Sequence, residues 1–339
     1  MRQQPPKPEL QGRTARVRFF LAAPLLTLLL CTGLEPPAPP PPSFDICPCQ
    51  GPSCDTTAHA LRFGFYDEDL LNDYAGTLSR HLDLWGSTPA YLLWFIQIDD
   101  PFPATVVSEN AFHGIRTIIS MNLKSLVVST ARNDTLLNEI SDGVWDSTLA
   151  LFAKRAAAYH DTVYLRFGYE MNGNWFPWGS QPTSFVNAWK HTHDLFVRLG
   201  ATKIRWVFSP GILWDNRSFE ADIEPYYPGD KYVDIVSLDG YNFGDQYDQY
   251  HCWQGFGSIF SESLDKMQGF RKPMWITETA CPVDGVRRPE WVQEMIDYLA
   301  RNPCVQTIIW FSAHKPDEPN FRLEDEPVSW AILREWLAR

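Results

Sequence analysis

An α/β architecture, a single (β/α)8 barrel of the TIM type, is what this 339-residue chain predicts, and three observations predict it. From about residue 60 onward, eight short apolar runs rich in β-branched and aromatic residues alternate with segments of helical periodicity. That alternating part is about 280 residues long, near the roughly 250 residues such a barrel takes. No Gly-rich phosphate loop follows the first run, which weighs against a doubly wound sheet.

Taken in order, the first 33 residues read as a signal peptide. Arg2, Lys7, Arg13, Arg16 and Arg18 precede the apolar stretch Phe19 to Cys31, which suits a signal core and is short for a bilayer span. An uncleaved anchor is the alternative, and this segment is the only membrane tether the sequence offers. Residues 34–59 hold Pro36-Pro37-Ala38-Pro39-Pro40-Pro41-Pro42 and then Cys47, Cys49 and Cys54, the composition of a stiff, hydrated stalk. The reading is therefore of an exported protein, secreted or held at the cell surface. Asn133-Asp134-Thr135 and Asn216-Arg217-Ser218 are glycosylation sequons.

Residues 60–339 form the barrel domain. Strands are expected at Leu61–Tyr66, Ala90–Gln97, Arg116–Met121, Val163–Tyr169, Ile204–Phe208, Val233–Tyr241, Pro273–Glu278 and Val305–Phe311. Helices are expected at about 68–85, 104–112, 143–159, 183–199, 219–226 (weakly), 256–268, 289–301 and 328–337. Trp85, Trp145, Trp189 and Trp336 fall on these helices as packing residues.

The chain carries a net charge of −12; its first 33 residues are net +4, leaving −16 on the remainder. So acidic a body disfavours nucleic acid and anionic lipid as partners. A neutral polymer suits it better, and 14 tryptophans are more than the core needs, as where sugar rings are stacked. If Cys31 leaves with the signal, six cysteines remain, with 15 pairings open to them. Cys252 and Cys281 both follow strand ends and are able to meet, whereas Cys304 precedes strand eight at the opposite end, so any partner of Cys304 comes from the N-terminal three.

The chemistry concentrates in Val163 to Gly179. An apolar strand delivers Glu170 among the turn formers Asn172, Gly173 and Asn174 and the rings of Trp175, Phe176 and Trp178. A second strand-end acid, Glu278, closes the run from Lys272. Functional groups of such barrels gather at the C-terminal strand ends, so acids on strands four and seven are placed to face one another. Period-two alternation puts Arg166, Gly168 and Glu170 on one face and Asp239 with Tyr241 on another, with Asp239 as a counter-ion for Arg166. Two carboxyl groups of opposite protonation state are what glycoside hydrolysis requires. The aromatic walls would desolvate Glu170 towards its neutral form, and the Tyr241 hydroxyl would hold Glu278 ionised. A metal centre is not expected: His191-Thr192-His193 does not share a helix face, and Cys-x-Cys lacks finger-spaced partners. Asp99-Asp100-Pro101 reads as a turn. No cofactor is called for.

At these residues the chain resembles glycoside hydrolase family 26. Arg166-Phe167-Gly168-Tyr169-Glu170-Met171-Asn172-Gly173-Asn174-Trp175-Phe176-Pro177-Trp178-Gly179 is similar to that family's acid/base signature, and Trp275-Ile276-Thr277-Glu278-Thr279-Ala280 to its nucleophile strand. The likeness continues through Ile212-Leu213-Trp214, Tyr226-Tyr227-Pro228-Gly229-Asp230, Asp239-Gly240-Tyr241-Asn242 and Ile309-Trp310-Phe311. It implies a retaining endo-β-glycanase with Glu170 as general acid/base and Glu278 as nucleophile. Tyr241 would orient Glu278, Trp310 would floor the central sugar site, and Trp175 and Trp214 would line neighbouring subsites. Tyr169, Asn172, Arg166 and Trp94 complete the candidate substrate-binding set. The resemblance makes β-1,4-mannan the expected polysaccharide, with mixed-linkage β-glucan and β-1,3-xylan as alternatives. Many of the family's mannanases have His where Tyr169 stands, and a phenol takes no charge near neutrality. A non-catalytic carbohydrate-binding barrel and a transglycosylase are the competing readings from outside hydrolysis.

Overall fold

Eight parallel strands close on themselves in chain order, β8 returning to pair with β1. The computed structural model describes residues 61–126, 135–213, 222–245, 252–284, 287–316 and 318–338. The strands are β1 (Arg62–Asp67), β2 (Tyr91–Gln97), β3 (Arg116–Asn122), β4 (Val163–Phe167), β5 (Ile204–Phe208), β6 (Ile235–Tyr241), β7 (Met274–Ala280) and β8 (Val305–Ser312). The helices are α1 (Tyr74–Trp85), α2 (Ala104–Phe112), α3 (Leu136–Ser141), α4 (Asp146–Ala158), α5 (Pro182–Arg198), α6 (Phe256–Gln268), α7 (Arg287–Arg301) and α8 (Pro327–Leu337). The expected TIM-type barrel is the fold. The signal and stalk segments, both sequons' asparagines and Trp214 lie outside the described residues.

Local chemistry explains where the elements begin and end. The expected helix at 68–85 is a 3-10 turn, Glu68–Leu71, followed by α1, because the Asp73 carboxylate caps Gly76 N–H at 3.0 Å and starts a new helix there. α1 stops at Gly86, whose φ of +59° suits glycine and whose N–H bonds Leu82 O. The stretch expected as one helix over 143–159 is α4 alone, preceded by α3, a short helix that its few apolar residues left unmarked; Gly143, at φ +78°, separates the two. Between Asp222 and Tyr232 the described backbone holds two 3-10 turns, Glu224–Tyr226 and Asp230–Tyr232, instead of the weakly expected helix. Pro225 and Pro228 deny that segment the N–H donors an α-helix needs.

The barrel interior is layered. Tyr91, Tyr164 and Trp275 plug its lower part, with ring centroids 4.9–5.4 Å apart. Above them lies a buried polar layer of Ser120, Arg166, Ser209, Ser237, Asp239 and Thr277. Outside, apolar helix faces such as Phe185, Trp189 and Phe196 of α5 bury fully against the strands. Emptying such a position costs roughly 3–5 kcal/mol for an aromatic residue.

Two irregularities aim the functional side chains. β4 ends at Phe167, two residues earlier than the apolar pattern runs, because Gly168 takes φ +62° and Glu170 φ +49°. A Cβ on Gly168 would lie 2.5 Å from Leu123 Cδ1, so both the space and the backbone demand glycine. The expected shared face of Arg166, Gly168 and Glu170 therefore fails past Arg166, where the extended backbone ends. On β7, pairing shifts between Leu238 and Asp239 of β6 and again between Ile276 and Thr279 against β8, so β7 carries one extra residue at Thr277–Glu278. That bulge lets two successive side chains both reach the barrel axis.

Candidate active site

Arg166 organises the floor. It is completely buried, donates from Nη1 to Glu278 Oε1 at 2.6 Å and to Ser120 Oγ at 2.8 Å, and forms an ion pair with Asp239. Ser209 Oγ accepts from its Nε and Nη2 at 3.2 and 3.1 Å. The expected Arg166–Asp239 pairing is present, and the same guanidinium also grips the second glutamate. Burial alone would lower the Arg166 pKa, but the charges of Asp239 and Glu278 more than offset it and hold the group protonated. Asp239 is secured in turn by the Thr277 hydroxyl at 2.8 Å. A buried ionic cluster persists only when its charges are paired in this way.

Glu278, at the β7 bulge, is 4% exposed and accepts a second hydrogen bond from the Tyr241 hydroxyl at 2.5 Å, as expected. Burial, then the Glu278 charge, pushes the Tyr241 pKa well above the ordinary phenol value, so it remains a donor. Two donors, one a guanidinium, thus complement the negative oxygens of Glu278.

Glu170 has a different environment. Its N–H donates to Ser209 O at 2.7 Å, and Trp175 Nε1 donates to its Oε2 at 2.6 Å. Burial first, and then the neighbouring Glu278 charge, push its pKa up to about 7, against the smaller opposing pull of Trp175 and Arg166. The loop that carries it is clamped. Asn172 Nδ2 donates to Gly211 O at 2.9 Å and Asn172 Oδ1 accepts from Gly211 N–H at 2.8 Å, while Trp178 Nε1 donates to Tyr169 O at 2.8 Å. Trp178 is therefore a fully buried support, stacked on Phe176 at 4.4 Å, and the wall expected of three aromatics reduces to Phe176 and Trp175.

Both acids open on one cleft of about 670 Å³. Its walls include Tyr66, Phe95, Tyr169, Phe176, Tyr241, Phe311 and Phe321, with Asn122, Lys315 and Glu318 as polar members. Tyr169 donates to Asn122 Oδ1 at 2.8 Å, and its ring lies under the Arg166 guanidinium at 4.8 Å. Trp175 stands at the rim, 49% exposed. Four candidates are not brought into the cleft: Arg166, completely buried beneath it, and three others. Asn172 is buried in its clamp. Trp310 is 1% exposed, donates to Phe321 O at 3.0 Å and meets Trp291 of α7 edge-on, so its neighbour Phe311 takes the place expected of it. Trp94 packs edge-on against Tyr74 of α1, and Phe95 faces the cleft. In both strands the inward parity is offset by one residue from the tryptophan.

Sequence reasoning missed Tyr66, Phe95, Asn122, Phe311, Lys315, Glu318 and Phe321. Both faces of a barrel strand are apolar, so a single strand gives no sign of which parity points inward. Elsewhere the plain readings stand: His191 bonds Asp146 at 2.6 Å, Asp100 accepts Gln97 N–H at 2.6 Å in a turn, and Trp85 and Trp189 are buried. Cys252 and Cys281 do not pair; Cys281 is buried, with Asn242 Nδ2 3.6 Å from its sulfur, and Cys252 is exposed. The N-terminal cysteines offered as partners of Cys304 lie outside the described residues.

Comparison with known proteins bears on this site. The model of the family described as glycosyl hydrolase family 26 matches residues 116–267, a span that holds Arg166, Glu170, Asp239 and Tyr241 and stops short of Glu278. Endoglucanase H of Acetivibrio thermocellus is 32% identical over 205 residues, 58% of this chain and 22% of that protein. A mannan endo-1,4-beta-mannosidase of Bacillus subtilis is 31% identical over 185 residues, 52% of this chain and 42% of its own length. The chain thus spans less than half the length of these curated relatives. Among solved structures, a GH26 beta-mannanase from Bacteroides ovatus superposes with a TM-score of 0.59 at 18% identity, covering 81% of this chain and 88% of that one. A Cellulomonas fimi endo-beta-1,4-mannanase gives 0.62 at 16%, covering 82% and 70%. These likenesses establish the barrel. With the family model lying across the acid-bearing loop and the curated relatives matching at about a third identity over part of their length, the chain is similar to glycosyl hydrolase family 26.

Proposed function

We propose that the protein is a retaining endo-β-glycanase of β-1,4-mannan, in which Glu278 is the nucleophile and Glu170 the general acid/base. One observation carries this reading: two carboxyl groups share a cleft, one held by a guanidinium and a phenol, the other with its pKa pushed up to about 7. The first is paired with a cation and the second is pushed towards its acid form, the arrangement acid/base division of labour requires. In the first step a Glu278 oxygen forms a bond to the anomeric carbon as the glycosidic bond breaks, and the Glu170 proton passes to the leaving oxygen. Glu170, now a carboxylate, next takes a proton from water; the water oxygen bonds the anomeric carbon and Glu278 departs ionised. Tyr241 keeps Glu278 in line, and the Trp175 N–H steadies Glu170 in its charged turn. The family and the mannosidase relative support the substrate class.

A second substrate has a specific observation behind it. The match to an endoglucanase runs over 205 residues, against 185 for the mannosidase, which favours a β-glucan, and Tyr169 stands where many mannanases have His, which loosens the tie to mannan. The basic and then apolar N-terminal stretch supports export as the route by which the enzyme meets polymer.

Wild type and Glu278→Ala are to be assayed for new reducing ends on mannan, mixed-linkage β-glucan and β-1,3-xylan. Wild type should hydrolyse mannan fastest, and the variant should lose on the order of 10⁴-fold. Preference for glucan transfers the reading to the second substrate. Binding without reducing ends, products longer than the substrate, or near-normal turnover by the variant would each overturn hydrolysis by this pair.

A further inference from the structure

Arg166 and Arg288 are both completely buried, and their surroundings differ. Arg166 is neutralised by Asp239 and Glu278. Arg288, at the start of α7, has no ion pair among the described residues and bonds the main chain instead. Its Nη1 donates to Arg322 O at 2.8 Å and its Nη2 to Phe321 O at 3.1 Å, and its guanidinium carbon lies 5.2 Å from the Trp310 ring centroid. Its Nε meets no acceptor among the described residues. Burial pushes its pKa down to about 10, so the charge persists at neutral pH, at a cost that two carbonyls offset only in part. An apolar side chain of similar length would pack there more cheaply. What the guanidinium supplies is a planar fork that reaches two carbonyls at once.

Those carbonyls fix the backbone that carries the Phe321 ring. Phe321 O also accepts the Trp310 indole N–H at 3.0 Å, and Phe321 N–H donates to Ala313 O at 2.9 Å. The Arg322 side chain ties the same segment to Glu68 at 2.6 Å and Asp69 at 3.0 Å, but these pairs are partly open to water and to screening by salt. The Phe321 ring lies against Tyr241, with centroids 5.4 Å apart and planes 28° from parallel. Tyr241 in turn donates to Glu278 Oε2 at 2.5 Å, a contact that tolerates little swing of the phenol. Phe311 touches Tyr241 edge-on, so the face of Phe321 is the surface that backs it.

We infer that Arg288 is a positioning residue for Glu278: it fixes the Phe321 carbonyl, Phe321 backs Tyr241, and Tyr241 aims the carboxylate. The inference rests on the proposed glycanase reading, with Glu278 as nucleophile. It extends the machinery to a side chain that does not line the cleft.

The test reads the attack of Glu278 alone. A 2-deoxy-2-fluoro-β-mannobioside, or its glucosyl counterpart, with a 2,4-dinitrophenolate leaving group needs no proton from Glu170. Its first-order inactivation rate, ki, is to be measured with its KI for wild type, Arg288→Met, Arg288→Lys, Phe321→Leu and the Arg288→Met/Phe321→Leu double variant. An unfolded fraction lowers the amount of label and not ki, so a merely structural role leaves ki unmoved. Arg288→Met should lower ki about tenfold, the lower end of what one hydrogen bond to a charged group contributes, with KI within about twofold of wild type. Arg288→Lys, which keeps the charge and reaches one carbonyl at a time, should fall between. Phe321→Leu should lower ki by a similar factor, its KI being free to change because Phe321 lines the cleft. The double variant should be no slower than the slower single one, since both lesions act on one path. Wild-type ki in Arg288→Met, a change in KI alone, or losses that multiply in the double variant would overturn the inference and leave the glycanase reading intact. Should Arg288→Met not fold, Arg288→Lys and Phe321→Leu carry the test, and wild-type ki in both overturns it. A wild type that takes no label and cleaves no glycan would sink the glycanase reading itself.

Discussion

The indole N–H of Trp175 is the most exposed of the contacts that tune Glu170, and removing it gives a prediction with a definite sign. Trp175→Phe keeps an aromatic ring at the rim and deletes the 2.6 Å donation to Glu170 Oε2. A hydrogen bond to a charged group contributes about 1.5–3 kcal/mol when dry. Trp175 is 49% exposed, so water replaces much of it, and about 0.7–1.4 kcal/mol is the sensible remainder. At roughly 1.4 kcal/mol per pH unit, the Glu170 pKa should rise by about half to one pH unit from its value of about 7. The donor favours the carboxylate, so its loss favours the acid. The acid is the form competent to protonate the leaving group, so the basic limb of the kcat/KM profile should move upward even as the amplitude falls with weaker sugar stacking. The limb is read from kcat/KM against pH between about 4 and 10, where it reports the free enzyme. A limb that stays in place, or moves down, would show that Glu170 is not the titrating acid or that the indole does not hold it.

Stability should follow from the same carboxyl with opposite consequence. Its pKa is raised from 4.5 to about 7, so the folded state penalises the charged form, and stability is lost as pH rises through that window. Glu170→Gln removes the penalty. It should stabilise the protein by about 3 kcal/mol above pH 7, on the order of 5 °C in Tm, and by nothing below about pH 4; calorimetry at pH 4 and pH 8 checks this, and equal gains at both would refute it. Strand parity is open to test on β2. Phe95→Leu should raise KM for polymer by about tenfold, whereas Trp94→Phe should leave KM unchanged, and the reverse pattern in initial-rate assays would put the tryptophan back in the cleft. Arg166→Met leaves Asp239 and Glu278 buried without their cation, at a cost of about 3–5 kcal/mol, measurable as a fall in the denaturant midpoint.

Much of this site was legible in the amino-acid sequence because strands and strand ends announce themselves. The runs ending at Phe167 and Ala280 are rich in apolar and β-branched residues; Glu170 follows the first at a polar turn, and Glu278 is the lone carboxylate within the second, two residues before its end. The Arg166–Asp239 pair followed from counting in twos along regular strands. Counting failed wherever the backbone departs from extension. The positive φ of Gly168 and Glu170 and the extra residue of β7 at Thr277–Glu278 arise from the contacts of the closed barrel, and no composition marks them. The exchange of Trp310 for Phe311 and of Trp94 for Phe95 has the same root, since both residues of each pair are large, apolar and plausible on either face. Lys315 and Glu318, on the segment after β8, bear no periodic signal at all.

Covalent capture of the sugar tests the proposed roles most directly. The protein is to be incubated with a 2-deoxy-2-fluoro-β-mannobioside bearing a good leaving group, or its glucosyl counterpart, and its proteolytic peptides weighed. The arrangement of Arg166 and Tyr241 around one carboxylate predicts the added disaccharide on Glu278, within the peptide that spans Met274–Ala280. A label on Glu170, or inactivation that leaves Glu278 unmodified, would contradict the assignment of the two acids.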